Sequence, residues 1–90
     1  MKKYLIEREI PGVGAFTAEQ LAEAAAVSNA ALVKLGPKVQ WLESQVTADK
    51  TFCVYLAEDE SLIHEHSRLS GFPANKVTEI GGVISPATAG

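Results

Sequence analysis

The sequence predicts an α+β protein of the ferredoxin-like type, with a β-α-β-β-α-β order, an antiparallel sheet and two helices on one face of that sheet. Three observations support this fold class: four segments have strand-like patterns, two have helical periodicity, and glycine, proline and aspartate residues separate them. At 90 residues the chain has room for one hydrophobic core. We expect one domain over residues 1–85 and a flexible tail over residues 86–90.

The first predicted strand runs from Lys3 to Ile10, where apolar and charged residues alternate. The segment Pro11-Gly12 ends it, because proline has no N–H group for a central ladder. Glu7 and Glu9 have the same parity, so both carboxylates lie on the same face of the strand. That face either borders a cavity, where a carboxylate needs a partner, or forms a solvated edge.

Two segments have the periodicity and the terminal residues of helices. The first begins after Thr17, which forms a capping box with Gln20, and ends at Gly36-Pro37. Its apolar stripe should pack on the sheet and consists of Leu21, Ala24, Ala25, Ser28, Leu32 and Leu35. The second helix begins after Asp59 and ends at Gly71.

The remaining strands are a hairpin between the helices and a last strand after the second helix. Lys38–Thr47 and Thr51–Ala57 are rich in β-forming residues and are joined by a short polar turn. The turn length is open, and a shift of one residue decides whether Trp41 lies opposite Tyr55 or Val54. The last strand is predicted over residues 76–84, with a bulge or close backbone approach at its two glycines.

Both histidines lie on the second helix, but they lie on different faces of it. His66 belongs to an apolar stripe with Leu62 and Leu69, whereas His64 follows Glu60 by four residues on a row that faces water. His66 is therefore either a hydrogen-bonded core histidine or a functional group. His64 and Glu60 are either solvated side chains or half of a surface metal site.

Composition and charge exclude several classes of function. The net charge of −3 argues against a nucleic acid or an anionic membrane as partner, because both need a basic surface. No apolar run is long enough for a membrane span and no signal segment is evident, so we expect a cytoplasmic protein. Cys53 is the single cysteine, so an internal disulfide is excluded and a buried, unreactive thiol is favoured.

Several short motifs, taken in order along the chain, resemble those of a family of small bacterial proteins with a domain of unknown function, one of which is described as a nickel-binding protein. The motifs are residues 6–12, Gln40-Trp41, Val46-Thr47, residues 53–55, Glu65-His66 and residues 71–75. The resemblance implies a ferredoxin-like fold, a homodimer and surface Ni²⁺ binding linked to sequestration or detoxification. Glu65-His66 matches the family pattern, whereas His64 does not belong to a family motif.

The first functional hypothesis is a dimeric, non-enzymatic metal-binding protein. Imidazole and carboxylate groups suit Ni²⁺, Zn²⁺ and Cu²⁺ alike, so the sequence does not select one metal. The candidate ligands are His66, His64, Glu60 and Glu9, with Glu7 as an alternative, completed by water or a neighbouring chain.

The second hypothesis is a cofactorless small-molecule enzyme or ligand-binding protein. A sheet with helices on one side leaves apolar side chains on its other face, so two copies would pair into a dimeric α/β barrel with a cavity between the sheet faces. The candidate cavity-lining residues are Glu7, Trp41, Tyr55, His66 and Phe72, with His66 and Glu7 as an acid-base pair. A third hypothesis is an assembly or regulatory module without chemistry of its own.

Overall fold

Four strands and two α-helices follow one another in the computed structural model, which describes all of residues 1–90. The elements are β1 (Lys2–Glu9), α1 (Ala18–Leu35), β2 (Val39–Val46), β3 (Lys50–Ala57), α2 (Glu60–Ser70) and β4 (Lys76–Ile80). Short 3₁₀ turns occupy Val13–Ala15, Gly36–Lys38 and Pro86–Ala89. The α+β class and the predicted order of elements are confirmed.

All neighbouring strands pair antiparallel in the order β2-β3-β1-β4, so β1 and β3 are the central strands. Ser28 of α1 and His66 of α2 both contact Tyr55 of β3, which places the two helices on the same face of the sheet. The sheet is open and its other face carries no helix. Neither helix combines the length and the apolar character that crossing a membrane requires.

The core lies between the helices and the central strands. Because alternate residues of a strand share a face, Tyr4, Ile6 and Arg8 of β1 point toward the helices, whereas Leu5 and Glu7 point to the uncovered face. The buried apolar cluster consists of Tyr4, Ile6, Val39, Cys53, Tyr55, Ala57 and Ile63. Cys53 is thus a buried residue of the core, as expected.

The structure settles the register of the hairpin. Trp41 lies opposite Tyr55, and Val54 lies opposite Glu43, because a bulge at Leu42 shifts the pairing between these positions. The turn that joins the strands consists of residues 47–49. Trp41 and Tyr55 consequently share the helix-facing side of the sheet, where their rings stack with centroids 6.3 Å apart.

The last strand is shorter than predicted, ending at Ile80 instead of residue 84. Its last pair with β1 is Lys3 opposite Ile80, and β1 itself begins at Lys2, so the chain beyond Ile80 has no strand to continue along. The two following glycines therefore lie outside the strand instead of forming a bulge within it. The tail contains the exposed 3₁₀ turn Pro86–Ala89.

Helix α1 begins as the sequence predicts. The Gln20 backbone N–H donates to Thr17 Oγ1 at 3.2 Å, and the Thr17 N–H donates to Gln20 Oε1 at 2.9 Å. These reciprocal bonds satisfy two amide donors that a helix otherwise leaves free at its start. The capping box therefore sets where α1 begins over the sheet.

The loop between β1 and α1 is attached to the hairpin turn by backbone hydrogen bonds. The Ile10 N–H donates to Asp49 O at 3.0 Å, and the Gly14 N–H donates to Ala48 O at 2.9 Å. A Cβ atom on Gly14 would lie 2.8 Å from both Ala48 Cα and Thr47 O. Glycine is thus required here, because a side chain would push the loop off the turn.

We predict that Gly14→Ala destabilises the fold by about 1–3 kcal/mol, since the added methyl group overlaps backbone atoms that have no room to move. Urea denaturation gives the free energy of unfolding. Gly81→Ala is the matched control, because a Cβ there meets no atom within 4 Å. Equal stability of the two variants would contradict this account of the loop.

Candidate functional site

A cavity of about 230 Å³ lies between α1 and the helix-facing side of the sheet. Of its 15 lining residues, 11 are hydrophobic. The lining residues come from β1, the following loop, α1, the hairpin and the segment after α2. The full set is Arg8, Ile10, Val13, Phe16, Leu21, Ala24, Ala25, Ser28, Trp41, Ser44, Val46, Thr51, Cys53, Tyr55 and Phe72. The capping box at the start of α1 and the loop that is hydrogen-bonded to the hairpin turn hold two sides of this cavity in place.

Arg8 is the one charged residue that lines the cavity, and it is only 3% exposed. Its Nη1 atom donates to the carbonyl oxygens of Phe72 at 3.2 Å and Pro73 at 3.0 Å. Its guanidinium carbon lies 5.8 Å from the centre of the Tyr55 ring. None of the ion pairs in the structure includes Arg8, so its charge is stabilised by dipoles and a ring face alone.

His66 lies behind the cavity wall and is 1% exposed. Its Nδ1 atom is 3.5 Å from Arg8 Nη2, and its Nε2 atom is 3.2 Å from Ser28 Oγ and 3.4 Å from Ser28 O. An arginine can only donate hydrogen bonds, so Nδ1 is the acceptor and Nε2 carries the ring proton. The contact with Arg8 thereby selects one neutral tautomer of His66.

Ser28 extends this chain to Tyr55, whose hydroxyl oxygen is 3.2 Å from Ser28 Oγ. Burial raises the pKa of the Tyr55 hydroxyl above its ordinary value. Burial, and secondarily the charge of Arg8, lower the pKa of His66. At neutral pH the chain Arg8–His66–Ser28–Tyr55 therefore contains one cation, a neutral imidazole and a protonated phenol.

The predicted cavity-lining residues separate into three positions. Trp41, Tyr55 and Phe72 line the cavity. His66 contacts the Tyr55 ring at 5.1 Å between centroids without lining the cavity itself. Glu7 lies on the opposite face of the sheet, so His66 and Glu7 are not brought together as an acid-base pair.

Glu7 is placed there by its parity in β1, and its carboxylate oxygens lie 4.0 Å from Lys50 Nζ and 4.0 Å from Lys76 Nζ. The cavity in this chain lies between α1 and the sheet, whereas a cavity between the sheet faces of two copies stays a prediction. The physical reason is that α1 approaches the sheet through small alanine side chains, which leave space beneath the helix.

The four predicted metal ligands do not form a single site. His64 Nε2 lies 3.0 Å from Glu60 Oε2 on the exposed face of α2, whereas His66 faces the core. Glu9 lies exposed at the end of β1, where its N–H donates to Asn75 Oδ1 at 2.7 Å. No group of three or more His, Cys, Asp or Glu side chains in the chain is placed to hold a metal ion.

Arg8 and Ser28, two members of the buried hydrogen-bond chain Arg8–His66–Ser28–Tyr55, were not predicted as site residues. A signal for each is present in the sequence. Arg8 has the same strand parity as the apolar residues Tyr4 and Ile6, and Ser28 is the one polar member of the α1 stripe. A polar residue at an apolar position needs a buried partner, so each of these breaks in the pattern indicates a polar contact inside the core.

The fold and site define a small α+β domain with one uncovered sheet face, an apolar cavity and a buried polar chain beside it. A family model described as "Nickel responsive protein SCO4226-like" matches residues 4–80, and the chain belongs to this family. The resemblance inferred from the short motifs is therefore confirmed.

A solved structure supports the fold. The crystal structure of SCO4226 from Streptomyces coelicolor A3(2) is similar to this chain with a TM-score of 0.75 and 14% sequence identity, over 91% of this chain and 99% of that one. At this identity the similarity shows a shared fold and no more. No curated protein matches the chain.

We predict that the free energy of unfolding falls as the pH drops below about 6.5, the ordinary pKa of histidine. The folded-state pKa of His66 is lowered, so the unfolded chain takes up a proton that the folded chain excludes. The free energy of unfolding therefore rises with pH between the lowered pKa of His66 in the folded state and its ordinary pKa in the unfolded state. It is lost as the pH falls through this window.

Urea denaturation between about pH 5 and pH 8 measures this slope, above the range in which the carboxylates titrate. His66→Gln should flatten the slope, whereas His64→Gln, at the exposed histidine, should retain it. An unchanged slope in His66→Gln would contradict the assignment to His66.

Proposed function

We propose that this protein is a homodimeric nickel-binding protein and that Ni²⁺ binds on the exposed face of α2 through His64 and Glu60. Membership of a nickel-responsive family supports the choice of metal. The observation that carries the site is the 3.0 Å distance between His64 Nε2 and Glu60 Oε2, which brings an imidazole and a carboxylate together.

The chemistry of the pair suits a borderline divalent cation. Imidazole nitrogen and carboxylate oxygen are both ligands for Ni²⁺, and the side chains of His64 and Glu60 are 54% and 55% exposed, which leaves space for the metal and its waters. Two protein ligands per chain leave most coordination positions to water or to a partner chain. We therefore expect weak, reversible binding suited to responding to nickel.

His66 is a poor competitor for the metal. Both of its ring nitrogens are engaged, Nδ1 by Arg8 and Nε2 by Ser28, and the ring is buried. A metal ion there would sit beside the Arg8 guanidinium and would be repelled by its charge. This leaves the surface pair on α2 as the favoured site.

The uncovered sheet face supports the dimer. Its central residues are apolar and only partly buried within one chain, and they are Leu5, Phe52, Val54 and Leu56. The strand order β2-β3-β1-β4 with both helices on the other face matches the ferredoxin-like arrangement. A second copy placed face to face would remove these side chains from water.

We predict that His64→Ala and Glu60→Gln each abolish or strongly weaken Ni²⁺ binding in isothermal titration, since each removes one of two protein ligands. His66→Gln and Glu58→Gln are the controls and should bind like the wild type. Titrations with Zn²⁺ and Cu²⁺ measure selectivity. Retained binding in both His64→Ala and Glu60→Gln would refute the site.

We predict that Val54→Lys converts the dimer to a monomer, because it places a charge at the centre of the apolar sheet face. Size-exclusion chromatography with light scattering measures the mass. Val33→Lys is the matched control, since Val33 is 81% exposed on α1, away from the sheet. A wild-type protein that is monomeric at high concentration would disprove the dimer.

A further inference from the structure

The Arg8 guanidinium is a buried cation without a counter-ion. It is 3% exposed, it forms no ion pair, and the neighbouring carboxylates Glu7 and Glu9 lie on the other parity of β1. The nearest side-chain partner is His66, whose imidazole carries no negative charge. Burying a charge without an opposite charge is costly, so the arrangement favours an anion that comes from outside the chain.

Arg8 also retains donors for such an anion. A guanidinium group has five N–H donors. Within the protein, Arg8 donates to the carbonyl oxygens of Phe72 and Pro73 and to His66 Nδ1. None of the hydrogen bonds of Arg8 involves Nε. Because every fully buried side-chain nitrogen and oxygen has a partner, Nε remains accessible, and Arg8 lines the cavity. A carboxylate, like a phosphate, is a group that a guanidinium edge binds with two parallel hydrogen bonds.

The other polar groups on the cavity wall are already paired within the protein. Ser44 Oγ accepts from Trp41 Nε1 at 2.9 Å, and Thr51 Oγ1 lies 3.4 Å from Cys53 Sγ. Ser28 is engaged in the buried chain described above. Most of the wall is apolar, so the cavity offers one positive charge at an otherwise hydrophobic surface.

The volume sets how much of a ligand the cavity can enclose. A cavity of about 230 Å³ holds roughly eight non-hydrogen atoms, at about 30 Å³ for each water-sized group in a liquid. A phosphate ester would bring more negative charge than a single guanidinium balances and more polar surface than these walls can accept. We propose that the cavity between α1 and the sheet binds a small apolar monocarboxylate, with its carboxylate on Arg8 and its hydrocarbon part against the aromatic wall.

Heptanoate, with nine non-hydrogen atoms, is a probe of about this size and of this charge, and heptanamide is its neutral isostere. Trp41 is the single tryptophan of the chain and lines the cavity, so its fluorescence reports whether the cavity is occupied. We expect heptanoate to change this fluorescence saturably and to bind at least about tenfold more tightly than heptanamide, because the amide lacks the charge that Arg8 recognises. Arg8→Gln should remove this preference.

A second pair of variants tests the cavity without changing its charge. Ala25 lines the cavity, so Ala25→Leu should fill it and weaken heptanoate binding by at least about tenfold. Ala26→Leu is the matched control on the exposed side of α1 and should bind like the wild type. His64→Ala should also bind heptanoate normally, which separates this site from the proposed nickel site.

Three results would overturn the proposal. They are the absence of heptanoate binding at millimolar concentration, equal affinities for heptanoate and heptanamide, and unchanged heptanoate binding in Ala25→Leu. The comparison of the two ligands uses the wild-type protein, so it remains decisive if Arg8→Gln fails to fold.

Discussion

The buried contact between Arg8 and His66 is the interaction on which the rest of the site depends. Arg8 belongs to β1 and His66 to α2, and Ser28 of α1 and Tyr55 of β3 continue the chain of hydrogen bonds. Arg8 also holds the backbone after α2 through the Phe72 and Pro73 carbonyls. One set of polar contacts thus orients both helices, both central strands and the segment that leads to β4.

Helix α2 separates two kinds of chemistry on its two faces. His64 and His66 are two residues apart, so their side chains point about 160° apart around the helix axis. The outward face pairs an imidazole with a carboxylate in water, and the inward face places an imidazole against a buried guanidinium. The metal site and the carboxylate site proposed for this protein therefore use different residues and can be altered independently.

Local patterns predicted most of the fold. The capping box at Thr17, the helix end at Gly36 and the cap at Asp59 each depend on residues within a few positions of one another, and all are present in the structure. Of the residues predicted to line a cavity, Trp41, Tyr55 and Phe72 line the one beneath α1, whereas Glu7 lies on the other sheet face. Arg8 was not predicted as a site residue, although its shared strand parity with Tyr4 and Ile6 was a signal for a buried cation.

The sequence by itself determined the order of the elements, their helix ends and the separation of the two histidines, since periodicity and capping act over a few residues. Only the tertiary structure decided the hairpin register, the end of β4 and the location of the cavity. Arg8 and His66 are 58 positions apart, and Ser28 and His66 are 38 apart. Contacts between residues so far apart in sequence depend on how two helices pack on one sheet. No local pattern specifies that packing.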